Sequence, residues 1–174
     1  PVQLGLVASL NRPSGNVTGM SMFAEDLWAK SAELLKQLVP KASVVAYLIN
    51  PSSPSTAMYA KAAAAAGSSL GVGVTMLHAG TEQTLNEAFA NFVKSGAGGL
   101  VVPNEPFFDT QRDRVVALAT KYAVPVIYPF REYVVAGGLM SYGPSLTDLY
   151  RQAGIYLGRV LKGEKPGDLP VQQP

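Results

Sequence analysis

The sequence contains no cysteine and one histidine, His78. Without thiols there are no disulfides, no thiolate metal sites and no cysteine nucleophile, although a cysteine-free chain fits reducing and oxidising compartments equally. A lone histidine at the end of an apolar run is more often a solvated or capping group than a base. A large excess of charge of one sign is also missing. Fourteen Lys and Arg stand against twelve Asp and Glu, for a net charge of +2, and the basic residues are scattered singly. Nothing in this pattern points to a nucleic-acid surface, so no nucleic-acid partner is expected. No stretch reaches the ~18 apolar residues of a membrane helix, and no charged start followed by an apolar core and a cleavage site opens the chain. There is no G-x-S-x-G elbow, phosphate loop, G-x-G-x-x-G fingerprint or metal-ligand spacing, so no catalytic residue, metal or cofactor is expected.

What is present is an ordinary globular composition, 48% apolar and 15% charged over 174 residues. Short apolar runs recur: SVVAYLI (43–49), VGVTMLHA (72–79), GGLVVP (98–103), VPVIYP (124–129) and GGLMSYG (137–143), each the length of a buried strand. Helical spacing lies between them, as in Leu85, Ala88, Phe89, Phe92 and Val93, and again in Val115, Val116, Leu118, Ala119 and Tyr122. The alternation predicts an α/β fold: a three-layer, doubly wound sheet of five parallel strands in the order 2-1-3-4-5. Ser53 and Pro54 signal one helix start, and Ser145 with Asp148 three residues on signals another. Leu146, Leu149, Tyr150, Ala153, Leu157, Val160 and Leu161 then form an apolar stripe. The ends fit the pattern less well. PVQLGLVASLNRPSG reads as a short helix, NVTGMSMF as a strand before the first full unit, and KGEKPGDLPVQQP as a Pro- and Gly-rich exit. Residues 24–163 are thus expected to form one lobe, with 1–23 a hinge segment and remnant of an earlier lobe, and 164–174 a linker leading toward the hinge.

Open parallel sheets bind ligands beyond the carboxyl ends of their strands, where the strand order reverses. In this chain that places Asn50, Asn104 and Glu105 near the switch point, with Phe107 close behind. Strands four and five add Tyr128, Phe130, Arg131 and Tyr142. The segment YPFREYVVAGGLMSY reads as a ring-rich loop that needs something to cover it, with Arg131 and Glu132 side by side. Each residue also has a plainer reading: Asn50 as a turn former, Arg131 and Glu132 as a solvated pair, Tyr128 and Tyr142 as packing residues. Phe107 and Phe108 cannot easily face the same way, so one of them belongs to the core. Glu105, Asp109 and Asp113 recur at helical spacing and read as a solvated face.

The phrases SLNRPSGNVTGMS, PFFDTQRDRVVALA, VPVIYPFREYVVAGGLMSYGPS and DLYRQAGIYLGRVLKGEKPGDLPVQQP carry a resemblance over nearly the whole chain. The sequence resembles the ABC-transporter substrate-binding proteins of the tryptophan/tyrosine transport type. That resemblance implies one lobe of a type I periplasmic binding-protein fold, the carboxy-terminal one, with the amino-terminal lobe lying outside this sequence. It implies a periplasmic or extracytoplasmic protein, exported by a signal or lipoprotein sequence in its full-length form. It also implies a non-enzymatic role: binding a small amphipathic solute, an aromatic amino acid or related carboxylate, and delivering it to a membrane permease. Thr18, Gly19 and Ser21 fall at the hinge. In aromatic-amino-acid members the loops after strands three and four carry aspartate and threonine, where this chain has NEPFF and YPFRE. Glu105 falls near the acidic position. An effector-sensing domain of a transcription regulator would use the same fold, and a racemase or isomerase is disfavoured by the absent cysteine.

Overall fold

The computed structural model describes residues 2, 5–22 and 25–173, which divide into two compact units, 25–143 and the described residues of the two ends, up to 22 and from 144 to 173. The larger unit contains the sheet. Its strands are β1 (Val44–Ile49), β2 (Gly73–His78), β3 (Gly99–Val101), β4 (Val126–Tyr128) and β5 (Met140–Ser141), all parallel, in the order β2-β1-β3-β4-β5. The expected topology holds. A strand with neighbours on both sides and helices above and below has no wet face, and β1 is buried from Val45 onward, which is why its sequence VVAYLI is continuously apolar and does not alternate.

The helices of this unit are α1 (Glu25–Leu38), α2 (Thr56–Leu70), α3 (Glu82–Ser95), α4 (Pro106–Thr110), α5 (Arg112–Lys121) and α6 (Arg131–Val135). α1 packs with α2, and α3 with α5, forming the outer layers. The α1 helix was not anticipated, although Trp28, Ala32 and Leu35 recur at helical spacing and are all buried. Trp28 stacks on Tyr59 of α2 at 4.6 Å and on Tyr47 of β1 at 5.7 Å, tying two helices to that inner strand. α3 begins in a reciprocal cap: the Thr81 hydroxyl accepts from the Thr84 amide, and the Thr84 hydroxyl accepts from the Thr81 amide.

The sequence differs from the structure at several elements. α2 starts at Thr56, not at Ser53 and Pro54, because Asn50 and Ser53 first close a turn in which the Ser53 amide donates to the Asn50 carbonyl. The acidic series is broken at Gln111, which ends α4 and opens α5, so Glu105, Asp109 and Asp113 do not share one helical face. The ring-rich loop is partly helical, since α6 occupies its middle.

The smaller unit holds α7 (Leu146–Leu161) and a 3-10 turn at Pro166–Asp168. The Ser145 hydroxyl caps α7 by accepting from the Asp148 amide at 3.3 Å, as its spacing predicted. Of the apolar stripe, Leu149 is buried, whereas Tyr150, Leu157 and Leu161 are exposed. No helix forms among the described residues of 1–15, and the strand expected at 16–23 reduces to one bridge, Met20 to Gln172. Residues 1, 3, 4 and 23 of those segments lie outside the described residues. The proposed hinge residues sit along this bridge. The Thr18 hydroxyl donates to the Leu169 carbonyl at 2.6 Å, the Gly19 carbonyl accepts from the Gln172 amide, and the Ser21 amide donates to the Gln172 carbonyl. Gly19 has φ of 148°, a conformation that a side chain would strain.

Candidate functional site

Because the strands are parallel, their carboxyl ends lie along one edge of the sheet, and the candidate binding residues fall there: Tyr128 as the last residue of β4, the others in the loops or just beyond. Asn50 follows β1. Its Oδ1 accepts from the Ser52 amide at 3.0 Å, and its Nδ2 donates to Glu105 Oε1 at 3.0 Å. Glu105 is only 6% exposed, and its other oxygen caps α4 by accepting from the Phe107 amide at 2.9 Å. A buried carboxylate stripped of water needs such partners, and these two account for both of its oxygens. A third tie runs from the Tyr59 hydroxyl to the Asn104 carbonyl at 2.6 Å. Asn50 and Glu105 therefore brace the loops after β1 and β3 against each other. Tyr59 belongs to the same brace but was not singled out from the sequence. The available signal was its place four residues after the helix start Ser55, facing inward.

The rings divide by burial. Tyr128, Phe130 and Tyr133 are nearly inaccessible, and Phe108 is fully buried, so it is the core member of the Phe pair. Phe107 is half-buried and meets Phe108 edge-on at 5.4 Å. Tyr128 stacks on Tyr133 at 4.8 Å with an interplanar angle of 14°. Most of the covering that these rings require thus comes from the unit itself. Tyr142 differs, being 38% exposed while its amide donates to the Tyr128 carbonyl. Arg131 is exposed at the start of α6 and forms no ion pair among the described residues, so the pair with Glu132 suggested by their adjacency does not form. Asn104 is half-buried, and its side chain makes no hydrogen bond among the described residues. Of the eight candidates, Asn50, Glu105, Tyr128 and Phe130 are buried, whereas Asn104, Phe107, Arg131 and Tyr142 keep exposed surface.

Beneath this surface lies a titratable group. Asp109 Oδ1 accepts from the Tyr133 hydroxyl at 2.9 Å. Burial pushes the Asp109 carboxyl up to about 6, with Glu105 and Glu132 adding repulsion, against the lowering effects of the Tyr133 hydrogen bond and Arg112. One oxygen of Glu132 is itself buried without a hydrogen-bond partner. Burial likewise raises the Tyr47 and Tyr59 hydroxyls to about 12, so both stay protonated in neutral water. A carboxyl whose folded pKa exceeds its unfolded value stabilises the fold at low pH and loses that contribution as pH rises through the folded value. Stability is therefore expected to decline between about pH 4 and pH 7, and Asp109→Asn should flatten the decline. Urea titrations of both proteins across that range check it; equal slopes would rule out a buried, protonatable Asp109.

His78 is exposed at the end of β2. Among the described residues no group of three His, Asp or Glu side chains is placed to hold a metal ion, and no helix is long and apolar enough to cross a membrane. The edge offers a cation, a half-exposed phenol ring, an amide and a second ring on a braced floor. That combination suits recognition of an amphipathic anion.

A family model described as ABC transporter substrate binding protein matches residues 1–174. A curated relative, the tyrosine-binding protein of Clostridioides difficile strain R20291, is 29% identical over 171 residues, covering 98% of this chain and 49% of that protein. The chain thus spans about half the length of the curated relative it matches. Among solved structures, the ABC domain in complex with L-Trp from Streptococcus pneumonia superposes with a TM-score of 0.85 at 26% identity, covering 99% of this chain and 58% of that one. A LacI family transcriptional regulator from Bifidobacterium animalis subsp. lactis shares the fold at a TM-score of 0.61 and 15% identity, covering 89% of this chain and 60% of that one.

Proposed function

Because the chain belongs to the ABC transporter substrate binding protein family, we propose that residues 24–163 act as the carboxy-terminal solute-recognition lobe of a two-lobed, extracytoplasmic binding protein, and that the solute is an aromatic amino acid or related carboxylate. The observation that carries this reading is the uncommitted Arg131 guanidinium on the same sheet edge as the half-exposed Tyr142 ring. Arginine matches a carboxylate with two parallel donors, and an aromatic wall beside it lowers solvent screening. The tyrosine- and tryptophan-binding relatives support the aromatic class.

In this reading an amino-terminal lobe covers the exposed stripe of Tyr150, Leu157 and Leu161, and Thr18, Gly19 and Ser21 form part of the hinge. Solute contacts on both lobes favour the closed form through differential affinity, and the closed form is what a membrane permease recognises. A lipid anchor in the full-length form fits the same export route. The regulator reading rests on fold alone, at 15% identity. The family is one of substrate binding proteins, and a non-enzymatic role is part of this reading.

Titration calorimetry of the full-length protein tests the reading. L-Tyr, L-Trp and L-Phe are expected to give saturable heats, tyramine and tryptamine, which lack the carboxylate, much weaker ones, and L-Leu an intermediate response. Equal affinity for tyramine and L-Tyr would overturn the carboxylate assignment.

A further inference from the structure

Among the described residues β2 is an edge strand, hydrogen-bonded to β1 alone. The Gly73 amide donates to the Ser43 carbonyl and the Ala79 amide to the Ile49 carbonyl. In a parallel ladder alternate residues face the neighbour, so Thr75 and Leu77 also turn their backbone groups to β1, while Val74, Met76 and His78 turn theirs outward. An outer row of free N–H and C=O groups is a template for another strand, and proteins usually blunt it with lysine, proline, a bulge or an inward charge. The strand GVTMLH has neither a charged residue nor a proline, and it pairs with β1 in unbroken register.

The flank of this edge is self-complementary. A groove of about 370 Å³ runs between β2 and α3, lined by Thr75, Met76, His78, Glu87, Asn91 and Lys94. Val74 turns toward α2, since a Cβ on Gly67 of α2 would meet the Val74 side chain, and by alternation Thr75 faces the α3 side. Glu87 and Lys94 are both exposed, and neither makes an ion pair among the described residues. They stand two helical turns apart with Asn91 between them. A two-fold axis through Thr75 would set Val74 opposite Met76 of a second copy, complete the outward ladder, and run the two α3 helices antiparallel. Glu87 of each copy would then face Lys94 of the other, which is the self-matching that an isologous interface requires.

We propose that the β2 edge and the α3 flank form a homodimer interface, in which two copies join their sheets antiparallel across a two-fold axis at Thr75. The occupant is a second copy because one patch supplies both the free ladder and the paired opposite charges. Glu87→Lys or Lys94→Glu alone places like charges together twice per dimer and should weaken self-association by about tenfold or more, whereas the exchange Glu87→Lys with Lys94→Glu should restore it.

Sedimentation equilibrium of the full-length protein and the three variants reads this directly. Thr75→Cys is expected to give a disulfide-linked dimer under mild oxidation, because opposed residues in a non-hydrogen-bonded antiparallel pair lie within bridging distance and these 174 residues hold no other cysteine. Val93→Cys, exposed on α3 outside the groove lining, should not cross-link. A protein that stays monomeric at high micromolar concentration overturns the proposal. So does a dimer indifferent to both single charge reversals, or a Thr75→Cys thiol shielded from reagent within a monomer, which would show the edge covered by another part of the same protein.

Discussion

Arg131→Ala is expected, on the proposed reading, to weaken binding of an aromatic carboxylate by about 2–5 kcal/mol, because that reading gives the guanidinium a charge-assisted pair that becomes dry on closure. The comparison case is an exposed ion pair, which contributes under about 1 kcal/mol. Arg131 begins from neither state: it is exposed and has no carboxylate partner among the described residues, so no internal pair must break before a solute is held. Tyr142→Ala should also weaken binding, since its ring keeps 38% exposure at the end of β5. Glu105→Gln and Asn50→Ala should act differently. Both residues spend their polar atoms on the brace between loops, so these changes should lower the unfolding free energy before they touch selectivity. Calorimetry paired with circular dichroism separates the classes. Unchanged affinity in both Arg131→Ala and Tyr142→Ala, with the fold intact, would remove this edge from the binding site.

The sheet was legible because each of its strands is a short apolar run, and strands bounded by helical periods leave few topologies open. What was not legible was burial at the strand ends. A ring after a strand reads the same whether it faces a cleft or folds back, and Tyr128 and Phe130 fold back, with Tyr128 stacked on Tyr133. Likewise Asp109 sits at a spacing that suggests a solvated helix face, yet within the short α4 its carboxylate accepts from the Tyr133 hydroxyl. The tie between Asn50 and Glu105 joins positions 55 residues apart, which no local pattern announces. At the ends, the Pro-rich exit looked unstructured by period, but its backbone pairs with residues 19–21. Hydrogen bonds of that kind depend on no side-chain pattern.

Tyr133→Ala should be the most damaging single change in the ring cluster, costing about 3–5 kcal/mol of folding stability. The side chain is 1% exposed, stacks on Tyr128, and donates its hydroxyl to Asp109, so truncation opens a cavity and leaves a half-buried carboxyl without its donor. Tyr133→Phe isolates the second part. It keeps the ring and its stacking but removes the hydrogen bond that favours the ionised Asp109, so the carboxyl pKa should rise beyond about 6. At pH 5 Asp109 can keep its proton in both proteins and the loss should be small. At pH 8 the carboxyl must ionise in a drier site, and the Phe variant should lose about 1–3 kcal/mol more. Urea unfolding of the three proteins at both pH values checks the argument. A Tyr133→Ala protein within about 1 kcal/mol of the parent would show that the stacked pair is not part of the packed core. A Tyr133→Phe loss that is the same at pH 5 and pH 8 would show that the hydroxyl does not control Asp109.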